Sequence, residues 1–270
     1  IRRVRLRGPV PTLDHVTTDQ TPVIRRRAAH GGPARRILFV VSNPAELKGF
    51  PVGFFAEELT RPFFDFIHAG YEVELRSPKG GAVEFDGFSN PENPATAYPN
   101  DLITIGFSHH PTFGALMADT KSIDDVDVAA FDAVCVAGGG GPLVTFKDDE
   151  QLHRLIADFY EQGKVVGLVC HGTCLMLWTT LSDGTLLADG KTWTGYPDSE
   201  EAMMNAAAGM TVNEYTIETE ARKNPNTTFE SAGPLEPFAI RDGRLITAQQ
   251  QHSSALFSEL IIEALSEVEG

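Results

Sequence analysis

A chain of 270 residues with 42% hydrophobic content is long enough for one large α/β domain, or for a domain with an appendage. Its net charge of −15 is unevenly spread: residues 1–36 hold nine arginines, no lysine and two aspartates, a net of +7, which leaves −22 for the rest. So acidic a body argues against nucleic acid as a partner, no apolar run is long enough to span a bilayer, and three cysteines give no disulfide framework, so a soluble protein of a reducing, cytoplasmic compartment is expected.

Residues 1–36 read as an Arg/Pro-rich extension. Pro9, Pro11, Pro22 and Pro33 break any regular element, and the apolar core of a secretory signal is absent. The segment is expected to be tail-like, lying across the acidic body or partly disordered. The body, residues 37–270, begins with the apolar run Ile37–Ser42, a buried first strand. A loop over Asn43–Gly53 leads into a helix over Phe54–Gly70, broken or kinked at Pro62. Tyr71–Arg76 alternates and reads as the second strand. Residues 77–127 are rich in Pro, Asn, Asp and Gly, a long excursion with one or two short helices, one of them around Pro111–Ala118, and the character of an active-site wall.

Phe131–Ala137 is the next strand, ended by the glycine run Gly138–Gly141. Asp148 with Gln151 three residues on predicts a capped helix, whose stripe is Leu152, Leu155, Ile156 and Phe159. Gly163 stops it, and Val165–Val169 forms the strand that ends at Cys170. Short β-like pieces follow at 192–196, 229–232, 238–241 and 245–247, then a last helix from about Ser253. Strands alternating with helices predict a single doubly wound, mostly parallel sheet with helices on both faces, and ligands outside the C-terminal strand ends.

Cys170 stands at such an end. An apolar strand stops at a cysteine, a histidine and a glycine follow, and a helical-looking run begins at Cys174: the pattern of a nucleophile elbow, in which helix N-terminal amides favour the thiolate. The plainer reading is a buried structural cysteine. A nucleophile needs a base and an oxyanion hole. His171 is a candidate base. Backbone amides at Gly139 and Gly140 and the amide of His171 are candidate oxyanion and substrate donors. The run lacks the ending of a phosphate-binding loop. Glu57 reads as solvated surface, whereas Glu58, among Phe54, Phe55, Phe63, Phe64 and Phe66, is placed to be desolvated and to serve as an acid/base.

These pieces together resemble the ThiJ/PfpI superfamily, within the class I glutamine amidotransferase-like, flavodoxin-like fold. They are Gly53–Pro62, Ser77–Gly81, Gly138–Gly141, Val169–Gly172, Thr194–Pro197 with Glu200 and Glu201, and Leu245–Thr247 leading to Ser253 and Ser254. The chain is most similar to the glyoxalase III-like and heat-shock-chaperone-like branch. That resemblance implies a cofactor-independent, metal-free, Cys-dependent enzyme of lyase or hydrolase type acting on a small reactive carbonyl compound, such as methylglyoxal converted to lactate, or related deglycation. It implies a stress-response role and a homodimer. It assigns Glu58 to the glutamate that hydrogen-bonds the nucleophile, and Glu201 to the acidic member of a triad with Cys170 and His171, with Glu200 as a one-residue-slip alternative. The chain departs from the branch at Gly140, usually histidine, at Thr145, usually aspartate, at Thr173–Cys174 and at Ala248–Gln251. These changes leave two further readings open: a hydratase or hydrolase of a specialised metabolite, and a redox sensor or holdase without turnover.

Overall fold

A computed structural model describes residues 34–267. Residues 1–33 of the Arg/Pro-rich extension lie outside the described residues. Arg35 and Arg36 already belong to the body: Arg35 pairs with Asp132 at 2.9 Å, and Arg36 opens the first strand.

In chain order, β1 (Arg36–Val40), β2 (Ala45–Leu47), β3 (Phe50–Val52), α1 (Ala56–His68) and β4 (Glu72–Arg76) come first. The excursion carries α2 (Leu102–His109). β5 (Ala133–Val136), α3 (Gly140–Thr145), α4 (Glu150–Glu161), β6 (Val165–Val169) and α5 (Leu175–Trp178) follow. Then come β7 (Thr192–Trp193), α6 (Asp198–Ala208), α7 (Ile217–Ala221), β8 (Thr228–Phe229), β9 (Ala239–Asp242), β10 (Leu245–Ala248) and α8 (Ser254–Ser266).

The main sheet runs β4-β1-β5-β6-β10-β9, parallel throughout except for β9, which pairs antiparallel with β10 at the edge. Its inner strands β1, β5, β6 and β10 are almost wholly apolar on both sides because both faces are covered. Along β1, Ile37 and Phe39 join a core cluster with Phe63 and Phe66 of α1 and Phe257 and Ile261 of α8. Leu38 and Val40 point the other way, to Leu152, Ile156 and Phe159 of α4. Each such fully buried side chain contributes about 1.5–3 kcal/mol. The result is a doubly wound, flavodoxin-like α/β sandwich, and the ends of β1, β5 and β6 lie side by side.

Several elements depart from the sequence expectation. Residues 43–53 are not a plain loop: β2 and β3 form a hairpin whose two-residue turn, Lys48–Gly49, has positive φ at both positions (49° and 88°), the turn that suits strand twist. α1 runs unbroken through Pro62, held by Phe63 and Phe66 against the sheet. The excursion carries two short helices: α2, capped by Asp101, and a 3-10 turn at 114–117 inside the stretch expected to be helical, with Pro111 between them. The cap of α4 is Asp149, whose carboxylate accepts the Leu152 amide at 2.9 Å, one residue later than Asp148. Among the described residues no helix is long and apolar enough to cross a membrane.

Candidate active site

β6 delivers Cys170 with φ +55°, a left-handed backbone that costs a β-bearing residue energy and that persists where the surroundings enforce it. The residues after it do not form the helix expected at an elbow. Cys170–Cys174 is a 3-10 turn, fixed by the Thr173 hydroxyl donating to the Cys170 carbonyl at 2.6 Å, and α5 is only four residues long. A long helix dipole is therefore not what acts on the sulfur. Individual amides are: those of Gly139 and His171 favour the thiolate.

The sulfur is buried, with 2% of the residue exposed. Burial pushes the Cys170 thiol well above its ordinary value, an ionised Glu58 would push it further, and the two amides oppose both. Glu58, from the first turn of α1, is wholly buried. Burial raises its carboxyl to about 8. Its Oε2 accepts the Gly138 amide at 2.7 Å, while Oε1 has no conventional hydrogen-bond partner and the Cys170 thiol is the side chain that interacts with this carboxyl. The ionisation of each group depends on the other. With a proton on Glu58, its charge no longer opposes the thiolate and its O–H can donate to the sulfur. Gly138 has to be glycine for this contact, since a Cβ there would sit 2.7 Å from Cys170 Cβ and 2.8 Å from Glu58 Oε2.

His171 Nδ1 lies 3.7 Å from Cys170 Sγ, and Nε2 lies 3.0 Å from Oε1 of Glu201. Glu201 opens α6 and is 2% exposed; its other oxygen accepts the Asn213 side-chain amide at 2.7 Å. The ring of Tyr196 flanks His171 at 4.2 Å. The carboxylate fixes the Nε2–H tautomer and leaves Nδ1 as an acceptor facing the thiol. Glu200, also buried, turns away: its Oε1 accepts from Gln249 Nε2 at 2.7 Å and from the Leu235 amide at 3.1 Å. Neighbours on a helix diverge by about 100°, so only one of this pair can reach the imidazole.

Of the candidate oxyanion donors, the Gly139 and His171 amides are the ones that favour the Cys170 thiolate, whereas the Gly140 amide is occupied by Asp86 Oδ2 at 3.1 Å. The absence of a side chain at Gly140 has a cause: a Cβ there would lie 2.8 Å from Val52 Cγ1, so the hairpin fills the space. Asp86, Asn213 and Tyr98 were not legible as site residues, because no local pattern marks them. Tyr98 comes from the excursion and accepts from Gln251 Nε2 at 2.7 Å. It also lines an open cavity of about 350 Å³ with Glu57, Pro99, Asn100 and Asp101. Glu57 is half-buried rather than free surface, and burial, with the charge of Asp101 adding to it, raises its carboxyl to about 7. Cys135 and Cys174 are buried in the two core clusters. Among the described residues no group of three or more His, Cys, Asp or Glu side chains is placed to hold a metal ion.

The model of the DJ-1/PfpI family matches residues 102–264. Glyoxalase 3 of Candida albicans is 28% identical over 220 residues, covering 80% of this chain and 91% of that protein. A glutathione-independent glyoxalase of Saccharomyces cerevisiae is 27% identical, covering 78% and 89%. Among solved structures, glyoxalase III from Candida albicans superposes with a TM-score of 0.70 at 24% identity, covering 85% of this chain and 97% of that one. A rapid encystment protein of Francisella tularensis gives 0.77 at 23%, covering 86% and 99%. The chain belongs to the DJ-1/PfpI family.

Proposed function

We propose that the chain is a cofactor-independent glyoxalase that converts a small 2-oxoaldehyde, of which methylglyoxal is the simplest methyl-bearing case, into the corresponding 2-hydroxy acid. The observation that carries this reading is the meeting of Cys170 with Glu58 on one side and the His171–Glu201 pair on the other, at the C-terminal ends of the parallel strands. The relatives named as glyoxalases, matched along most of their length, support it.

The chemistry follows from these groups. The Cys170 thiolate adds to the aldehyde carbon, and the carbonyl oxygen takes a proton to give a hemithioacetal. Removal of the C1 hydrogen as a proton gives an enediolate, whose oxygen the Gly139 and His171 amides can hold. Glu58 and His171 Nδ1 are the groups placed to take that proton and return it to C2. The product is a 2-hydroxy thioester on Cys170, and water releases the acid and the thiol. Hydrogen moves from C1 to C2 and one water is consumed, so no oxidant or reductant is needed. The side-chain charges acting on Glu58 are the carboxylates of Glu57 and Asp86, which favours an uncharged substrate over an anionic one. The same reading carries a homodimer in the cytoplasm. Incubation with methylglyoxal in the absence of glutathione should yield lactate; no turnover by the wild-type chain would refute the substrate.

A further inference from the structure

The amides of the glycine run can be accounted for one at a time, as buried backbone groups require. Gly138 N–H donates to Glu58 Oε2 at 2.7 Å, Gly140 N–H to Asp86 Oδ2 at 3.1 Å and Gly141 N–H to the Gly53 carbonyl at 2.7 Å. The one left over, Gly139 N–H, is the amide that acts on the Cys170 sulfur. Gly139 has φ +96° and ψ −173°, a conformation only glycine adopts at low cost, and a glycine flanked by glycines would rotate freely unless tied on both sides. Glu58 is one tie. Asp86 is the other.

Asp86 is itself anchored. Its Oδ1 accepts the Phe88 amide at 3.0 Å, and its N–H donates to the Phe54 carbonyl at 2.7 Å. Its carbonyl accepts from Ser89, whose hydroxyl in turn accepts the Ala56 amide at 2.9 Å at the start of α1, the helix that carries Glu58. The turn at 86–89 therefore binds the glycine run to the origin of α1.

We propose that Asp86 is a positioning residue for Cys170: by holding the Gly140 peptide it keeps the Gly139 amide aimed at the sulfur. The inference rests on Cys170 being the reactive group of the proposed function. A buried thiolate has few sources of stabilisation, so the loss of one amide donor shifts its ionisation upward. Simple removal of the negative charge of Asp86 would shift it downward, and the two roles are separable by sign.

The experiment is the pH dependence of Cys170 alkylation by iodoacetamide, read by peptide mass spectrometry, in wild type, Asp86→Ser and Asp86→Asn. It needs no substrate, so it remains readable even if methylglyoxal is not turned over. A serine can still close the turn to the Phe88 amide but is too short to reach Gly140. Its alkylation midpoint is expected about one unit higher, with about tenfold slower labelling at neutral pH. Asparagine has a single oxygen for the Phe88 and Gly140 amides, so it removes the charge and weakens the tether together, and its midpoint should rise as well. Cys135 and Cys174 report folding by remaining unlabelled. A Ser variant whose midpoint is unchanged or lower, with those two cysteines protected, overturns the proposal. So does an Asn variant whose midpoint falls, the direction that loss of the charge alone would give. Hydrogen exchange on the wild-type protein gives a check independent of any variant: the Gly140 amide should exchange slowly, and fast exchange there overturns the tether.

Discussion

Oε1 of Glu201 lies 3.0 Å from Nε2 of His171, and that contact decides which ring nitrogen faces Cys170. Glu201→Gln removes the charge and can present an amide N–H to Nε2, which favours the tautomer carrying its proton on Nδ1. Turnover should fall about 10²- to 10⁴-fold, with the pH profile displaced and KM little changed. Glu200→Gln, one residue away but bonded to Gln249, should change kcat less than about threefold. Equal losses in the two variants would contradict the assignment of the pair.

Glu58→Gln keeps an oxygen that can accept the Gly138 amide but can neither ionise nor shuttle a proton. Steady-state assays should show kcat reduced about 10²- to 10⁴-fold. The alkaline limb of the wild-type profile, expected near the raised value of about 8 for Glu58, should be absent or displaced in the variant. A variant with wild-type kcat would exclude Glu58 from the proton transfer.

The same carboxyl makes a stability prediction. Its folded value of about 8 lies above the unfolded value of about 4.3, so the folded protein binds the extra proton between them. Its contribution to stability is complete below the unfolded value and is lost as pH rises through about 8. Burial raises Glu57, Asp86 and Glu200 as well, with the same sign. The thermal midpoint of the wild type should therefore fall between pH 5 and pH 8.5 more steeply than that of Glu58→Gln, as followed by circular dichroism. Parallel curves would mean that Glu58 is not buried in need of its proton.

Much of this site can be read in the sequence, and the reason is local chemistry. Cys170 is legible because a buried strand, a nucleophile and a glycine lie consecutively, and Glu58 because a carboxylate sits among phenylalanines. Glu201 needed the resemblance, since nothing in Asp198–Glu201 alone selects one carboxylate from three. Asp86, Asn213 and Tyr98 reach the site through tertiary contacts that no short-range pattern encodes. The fold followed from strand–helix alternation, while the hairpin at 45–52 did not, because its strands are three residues each and carry Pro51.

Gly138→Ala tests how tightly the site is assembled. The new methyl would meet Cys170 Cβ and His171 N at 2.7 Å and Glu58 Oε2 at 2.8 Å. Overpacking of this kind costs about 1–3 kcal/mol, and the thermal midpoint should drop by several degrees with activity lost. An active, equally stable variant would show that the glycine run does not touch the nucleophile as described.

The most direct test of the central claim is acid quenching of the methylglyoxal reaction at steady state, followed by mass spectrometry of the peptides. The account predicts a mass increase of one methylglyoxal on the peptide carrying Cys170, lactate accumulating in solution, and neither in Cys170→Ala. Lactate formation that survives in Cys170→Ala would contradict it.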